Sequence, residues 1–298
     1  RSTLFPYTTL FRSPYSQVGS EITKQLLAGG QAVKAVARNA EKAAALKKAG
    51  AEIVIADAFD DKLLKKAFEG GTVAFLLTPE TGKSDDVIGD TKRLLENYKN
   101  AVQSARIQKI VGLSSMGAQL EGDTGNLKMS YMLEHAFADM DVQQIFIRPS
   151  YYYSNWLMQL SSIKESGVLP TFYPPDLKIP MSSPMDIAGF AAGKLVQDVD
   201  DSPVYEVLGP QWYSSAEIAN IFGEVLGKKV KAQQVPKEEW PSTIKSFGFT
   251  DDAVKNFIKM TQTVVDGKSK PQGGDTITIS VPTTFKDYLE KQMDKEKS

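Results

Sequence analysis

The chain has 298 residues, with 35 Lys plus Arg against 36 Asp plus Glu, one histidine and no cysteine. This length suits one α/β unit with a smaller appended lobe, and the balanced charge gives no general attraction for nucleic acid. Without cysteine there are no disulfides, thiolate metal sites or thiol nucleophiles, and a lone histidine, His135, rules out a histidine-rich metal cluster. No apolar run is long enough to span a bilayer, so no membrane contact is expected and the cytoplasm is the default location.

Residues 1–13 read RSTLFPYTTLFRS, which resembles the translation of a short-read sequencing adapter, and we expect them to be a fusion scar outside the fold. The stretch from Gly19 to Asp57 then sets the pattern for the rest. A helix over 19–28 ends in Gly29-Gly30, a strand over 32–36 ends in Arg38-Asn39, a helix spans 40–48, and a strand over 52–56 ends in Asp57. The apolar period alternates between helical and strand-like, as in a parallel β-α-β-α-β sheet. A dinucleotide fold needs a strand and three glycines ahead of this helix. Counting back from Gly19 as the third, the other two positions hold Ser16 and Ser13. Only the packing glycine is present. The chain as written is therefore expected to lack its first strand, unless 8–12 replaces it, and to be unstable or free of cofactor.

Further along, a polar helix over 60–68 precedes a buried strand over 72–77 that ends in Thr78-Pro79. A long helix over 87–105 leads to a strand over 109–113 ending in Ser114-Ser115. A loop over 119–127, a helix over 128–140 and a strand over 144–147 ending in Arg148-Pro149 follow. Polar residues gather at strand C-termini, where doubly wound sheets bind ligands. The second half differs. Tyr151-Tyr152-Tyr153-Ser154-Asn155-Trp156 is read as opening a helix to 163, and 167–180 as a proline- and aromatic-rich loop. A helix starts at Pro184, a strand covers 204–208, and Ser214 with Glu217 fits a capping box ahead of a helix to 226. A strand over 229–235, helices over 237–247 and 251–265, a flexible linker over 268–275 and a last helix over 284–291 complete the chain. The nucleotide-binding domain is assigned to 14–150, with 184–210 returning to it; 151–183 and 211–298 form the smaller lobe.

Gly19, VARN ending in Arg38-Asn39, Asp57, LLTP at 76–79, GLSS at 112–115, IRP at 147–149 and Asn155 together resemble the NmrA-like family. IPMSSPMDIA and YEVLGP with SAEIA extend the likeness over the chain after residue 16. These are atypical short-chain dehydrogenase/reductases, and the similarity is strongest to their NAD(P)H quinone-reductase-like branch. The resemblance implies a doubly wound, mostly parallel Rossmann-type sheet with a C-terminal α+β substrate lobe. It also implies an NADPH (NADP) cofactor and a small-molecule acceptor with quinone-like conjugation. The alternative within the family is a nucleotide-sensing regulator without turnover. Monomer and homodimer both remain open.

Arg38, nineteen residues after Gly19, is the sharpest single signal. An acidic residue at this strand end would bind the ribose hydroxyls of NAD; an arginine can grip a 2′-phosphate with its planar fork. Asn39 could donate to the same phosphate. Asp57 is a candidate for the adenine side or a turn residue, Thr78 and Pro79 flank the nicotinamide ribose, and Ser114 or Ser115 would supply a hydroxyl. Ordinary short-chain dehydrogenases carry Tyr-x-x-x-Lys, in which the ammonium helps the phenol move a proton. Here the helix offers Tyr131-Met-Leu-Glu-His135, with Lys128 three residues earlier. Tyr131 is therefore read as a pocket residue, and no catalytic residue or metal site is assigned. Tyr152, Asn155 and Trp156 complete the expected acceptor pocket.

Overall fold

The computed structural model describes residues 3–6, 14–198 and 201–297. Its first half alternates strand and helix: β1 (Thr3–Pro6), α1 (Pro14–Ala28), β2 (Ala32–Ala37), α2 (Ala40–Lys48), β3 (Glu52–Ile55), α3 (Asp61–Phe68), β4 (Val73–Leu77), α4 (Val87–Ala105), β5 (Lys109–Leu113), α5 (Leu127–His135) and β6 (Gln143–Pro149). The second half adds β7 (Tyr151–Tyr152), α6 (Ser154–Leu157), α7 (Leu160–Ser166), β8 (Val168–Thr171), β9 (Ile179–Ser182), α8 (Pro184–Val196) and β10 (Val204–Leu208). Then come β11 (Trp212–Tyr213), α9 (Ser215–Leu226), β12 (Lys231–Gln234), α10 (Trp240–Ser246), α11 (Asp251–Val265), β13 (Ile277–Ser280) and α12 (Phe285–Lys297).

Eight strands form one parallel sheet in the order β13-β10-β6-β5-β4-β1-β2-β3. The chain winds outward through β2 and β3, then crosses back to β4 and winds the other way. Its switch point lies between β1 and β4, where open α/β sheets form their ligand crevice. Both faces are covered, which is why β4 and β5 are buried at every residue. Val73, Phe75 and Leu77 point to a core shared with Val18, Ile22 and Leu26 of α1 and the small face of α8. Ala74 and Leu76 point the other way, toward Leu94, Tyr98 and Val102 of α4.

Several expectations change here. The first strand is not missing, for Thr3–Pro6 pairs with both β2 and β4 at the centre of the sheet, and the alternative at 8–12 falls outside the described residues. The fold thus uses residues from within the stretch expected to lie outside it. Helix α1 starts at Pro14, so Gly19 lies buried inside a helix and does not open one; the Thr23 hydroxyl donates to its carbonyl at 2.9 Å. The connection at 7–13 falls outside the described residues. The triple tyrosine begins as β7, which pairs with β9, and the presumed loop at 167–180 contains β8 and the start of β9. Strand β13, which sequence reading placed in the lobe, joins the main sheet beside β10. Its register became visible only through long-range pairing.

The lobe is stapled locally. Ser214 and Glu217 form the expected capping box on α9, and the Lys178 ammonium beside Glu217 holds that carboxyl low. Asp186, in the first turn of α8, accepts the Thr283 N–H at 3.0 Å and hydroxyl at 2.8 Å, fastening the start of α12.

Candidate functional site

Every strand of a parallel sheet presents its C-terminal end to the same edge, so the predicted polar residues share one rim. Arg38 and Asn39 leave β2 exposed to solvent. The Asn39 carbonyl Oδ1 accepts the Glu41 N–H at 2.8 Å, which caps the start of α2. On the neighbouring strand, Asp57 is exposed and its Oδ1 accepts the Phe59 N–H at 3.0 Å, the turn role. Thr78 is buried at the end of β4 and Pro79 half-buried beyond it.

The end of β5 is built differently. Ser114 is buried, and its hydroxyl donates to Glu134 Oε1 at 2.5 Å. Glu134 comes from α5, where it shares the inward face with Leu127 and Ser130. Arg148, at the end of β6, grips the same carboxylate in two bonds, Nε at 2.8 Å and Nη2 at 2.6 Å. Arg148 Nη1 then donates to Gln272 Oε1 at 2.7 Å and lies 3.7 Å from Glu206 Oε1. Glu206 is fully buried on β10, and its carboxylate accepts the Gln272 and Gly273 N–H groups and the Thr276 hydroxyl. The segment read as a flexible linker is therefore pinned into the sheet. The Ser114 proton is committed inward, to Glu134. Ser115 is half-buried, and its hydroxyl donates to the Met116 carbonyl at 3.2 Å.

No Tyr–Lys proton relay forms on α5. The Lys128 ammonium sits 4.0 Å from the Tyr131 ring centre, over its face, while His135 stacks on the same ring at 4.1 Å. The cation meets the π-face and not the phenol oxygen. Two residues expected in the acceptor pocket, Tyr152 and Trp156, are buried. Tyr152 packs into the core beneath the sheet, with Ile187 and Val207, and Trp156 packs into the separate lobe core, its Nε1 3.3 Å from the Met181 sulfur. Asn155 stays half-buried and hydrogen-bonds Tyr151, whose ring meets Trp156 at 5.5 Å and Tyr173 edge-on at 5.7 Å. Burial raises the Tyr151 and Tyr173 phenols far above their ordinary range, so both are neutral. The half-buried ring near Asn155 is thus that of Tyr151, with Tyr173 behind it in the lobe core. A second, open groove lined by Lys178, Gln211, Trp212, Tyr213 and Asn220 lies on the lobe and holds none of these groups.

Sequence reading also missed Glu80 and Asn126, in the loops after β4 and β5. Glu80 Oε1 and both amide atoms of Asn126 are buried without a hydrogen bond of normal geometry. Among the described residues no group of three or more His, Asp or Glu side chains is placed to hold a metal ion. Nor is any helix among them long and apolar enough to cross a membrane.

A dinucleotide is the cofactor this fold implies, and its adenosine end fits the residues present: an exposed arginine and asparagine side by side at the end of β2, next to the switch point. The chain is 23% identical over 236 residues to the NAD(P)H azoreductase of Xenophilus azovorans, covering 78% of this chain and 79% of that protein. It is 26% identical over 222 residues to quinone oxidoreductase 2 of Escherichia coli, covering 74% of each. Its fold superimposes on an Escherichia coli NADPH-dependent quinone oxidoreductase crystallised with NADPH at a TM-score of 0.78, with 21% identity, 98% of this chain and 100% of that chain covered. The model of the NmrA-like family matches residues 16–297, and the chain belongs to that family.

Proposed function

We propose that the chain is a reductase that binds NADPH and reduces a small conjugated acceptor of the quinone or azo type. The observation that carries this reading is the rim itself: a phosphate-gripping residue type, Arg38, stands exposed at the end of β2, while polar groups and a neutral aromatic face stand beyond the switch point. The named activities of the azoreductase and quinone oxidoreductase relatives support it. Arg38 and Asn39 would hold the 2′-phosphate, Asp57 would shape the turn beside the adenine, and Thr78, Pro79 and Ser114 would border the nicotinamide ribose. When bound, the cofactor supplies a hydride, so the protein's task is to bind, orient and exclude water. Tyr151, half-buried beside Asn155, offers a flat apolar face for a conjugated ring.

A second reading, a nucleotide-sensing regulator without turnover, is favoured by one observation. Lys128 lies over the Tyr131 face, so this helix carries no phenol–ammonium pair. A steady-state assay of NADPH oxidation with a panel of quinones and azo dyes separates the two. The enzyme reading predicts saturable turnover with at least one acceptor. Tight nucleotide binding with no turnover on any acceptor would favour the regulator.

A further inference from the structure

We propose that Glu80, with Asn126 beside it, is the acid that holds the electron-accepting oxygen or nitrogen of the acceptor and gives it a proton. The inference rests on the reductase reading above. Glu80 stands two residues beyond Thr78 on the ligand edge of the sheet. Asn126 comes from the loop after β5 and is 7% exposed; Thr124 of that loop is 9% exposed, with an unpartnered hydroxyl.

The surrounding structure brings the two loops together and leaves their polar atoms unspent. Thr250, capping α11, donates its N–H to the Gly82 carbonyl and its hydroxyl to the Ser84 carbonyl, which fastens the loop of Glu80. The Asn126 N–H donates to the Asn256 carbonyl of α11 at 3.3 Å, fastening the other. Gly125 permits this approach, because its φ is +61° and a Cβ there would meet the Asn256 carbonyl oxygen at 2.0 Å. Val87, Met129 and Ala253 close a small apolar core between them. The neighbouring charges already have partners: Asp123 with Lys259, Asp252 with the Val87 N–H, Asp86 with the Gly89 N–H, and Lys83 with the Gly248 carbonyl.

Buried polar groups are nearly always paired, so a carboxyl and a carboxamide that face each other without satisfying each other call for a third group. A protonated carboxyl and an amide N–H are both donors. Together they suit an atom with two lone pairs, such as a quinone oxygen. Burial raises the Glu80 carboxyl to about 7, with the Asn126 amide opposing that rise, so a large share is protonated at neutral pH. In the step, the Glu80 O–H bond breaks and an O–H or N–H bond forms on the acceptor. The acceptor gains two electrons as hydride, the dihydronicotinamide is oxidised, and the Glu80 carboxylate regains its proton from solvent.

The test pairs infrared difference spectroscopy with kinetics on the full chain, using menadione as the probe. The wild type should show a protonated-carboxyl band near neutral pH that is absent in Glu80→Gln and shifts when menadione is added. Glu80→Gln should lower kcat about 100-fold and abolish the pH limb near 7, leaving NADPH affinity within about twofold. Glu80→Asp should recover part of the rate, and Asn126→Ala should weaken menadione binding about tenfold. A band that ignores menadione, or a Glu80→Gln variant with unchanged kcat and pH limb, would overturn the proposal. A wild type whose band shifts with menadione but which never oxidises NADPH would overturn the reductase reading and the proton transfer, by a signature distinct from the first.

Discussion

The two wings of the sheet carry their polar residues in opposite ways. On the β1-β2-β3 wing, Arg38, Asn39 and Asp57 are exposed, and the bonds of Asn39 and Asp57 named above reach only two residues along the chain. On the β4-β5-β6-β10-β13 wing Ser114, Arg148 and Glu206 are buried and the network they belong to spans long separations; Arg148 and the exposed Gln272 are 124 residues apart, Gln272 and Glu206 66. An exposed side chain can remain available for a ligand at little cost. A buried charge must be paired by the protein itself, and every partner then becomes part of the structure. The first wing is thus suited to recognition and the second to holding the crevice in shape.

The strongest way to break this contrast is Arg148→Met. It leaves Glu134 and Glu206 buried without their shared cation, and loss of one partner from such a set costs about 3–5 kcal/mol. Urea unfolding should show that loss, together with release of 268–276 to hydrogen exchange. A change under about 1 kcal/mol would mean that the network contributes little.

A smaller effect is expected from Glu80→Gln as a function of pH. The carboxyl ionises near 4.5 when unfolded and near 7 when folded, so the unfolded chain releases its proton first. The stability linked to the protonated group is complete below about 4.5 and is lost as pH rises through about 7. That loss is at most about 3 kcal/mol, and the glutamine variant, which has no proton to lose there, should not show it. Thermal melts of both proteins across this range check the sign. Parallel curves would place Glu80 in ordinary solvent.

On the exposed wing the stakes are lower. Asn39→Ala removes the cap of α2 and should cost about 1 kcal/mol while leaving the Arg148 network intact. A larger loss, with exchange reaching 268–276, would show the wings to be coupled.

This division also explains what could be read from the sequence. The alternating strands and helices, the strand ends at Arg38 and Asp57 and the Ser214–Glu217 box are local patterns, and the fold repeats them. Glu134 was visible only as a spacer inside Tyr131-Met-Leu-Glu-His135, although its helical spacing from Ser130 already set it on the inward face. Glu206 and Gln272 had no local signal at all, because their roles depend on pairings across the sheet, and Asn126 had none because its place depends on contact with α11. Tyr152 and Trp156 share a short aromatic run with Asn155, yet a strand and a helix turn their rings into two different cores. The strand at Thr3–Pro6 is hidden for another reason: it lies within the adapter-like stretch expected to fall outside the fold.

The central claim is that the exposed wing reads the 2′-phosphate of NADPH through Arg38. It is tested most directly by calorimetric titration of NADPH and NADH into the wild type and Arg38→Ala. The account predicts that the wild type prefers NADPH and that the variant loses roughly tenfold to a hundredfold in NADPH affinity, as a charge-assisted bond of about 1.5–3 kcal/mol implies, with NADH unaffected. Equal affinity of the wild type for both nucleotides, or a preference that survives in Arg38→Ala, would contradict it.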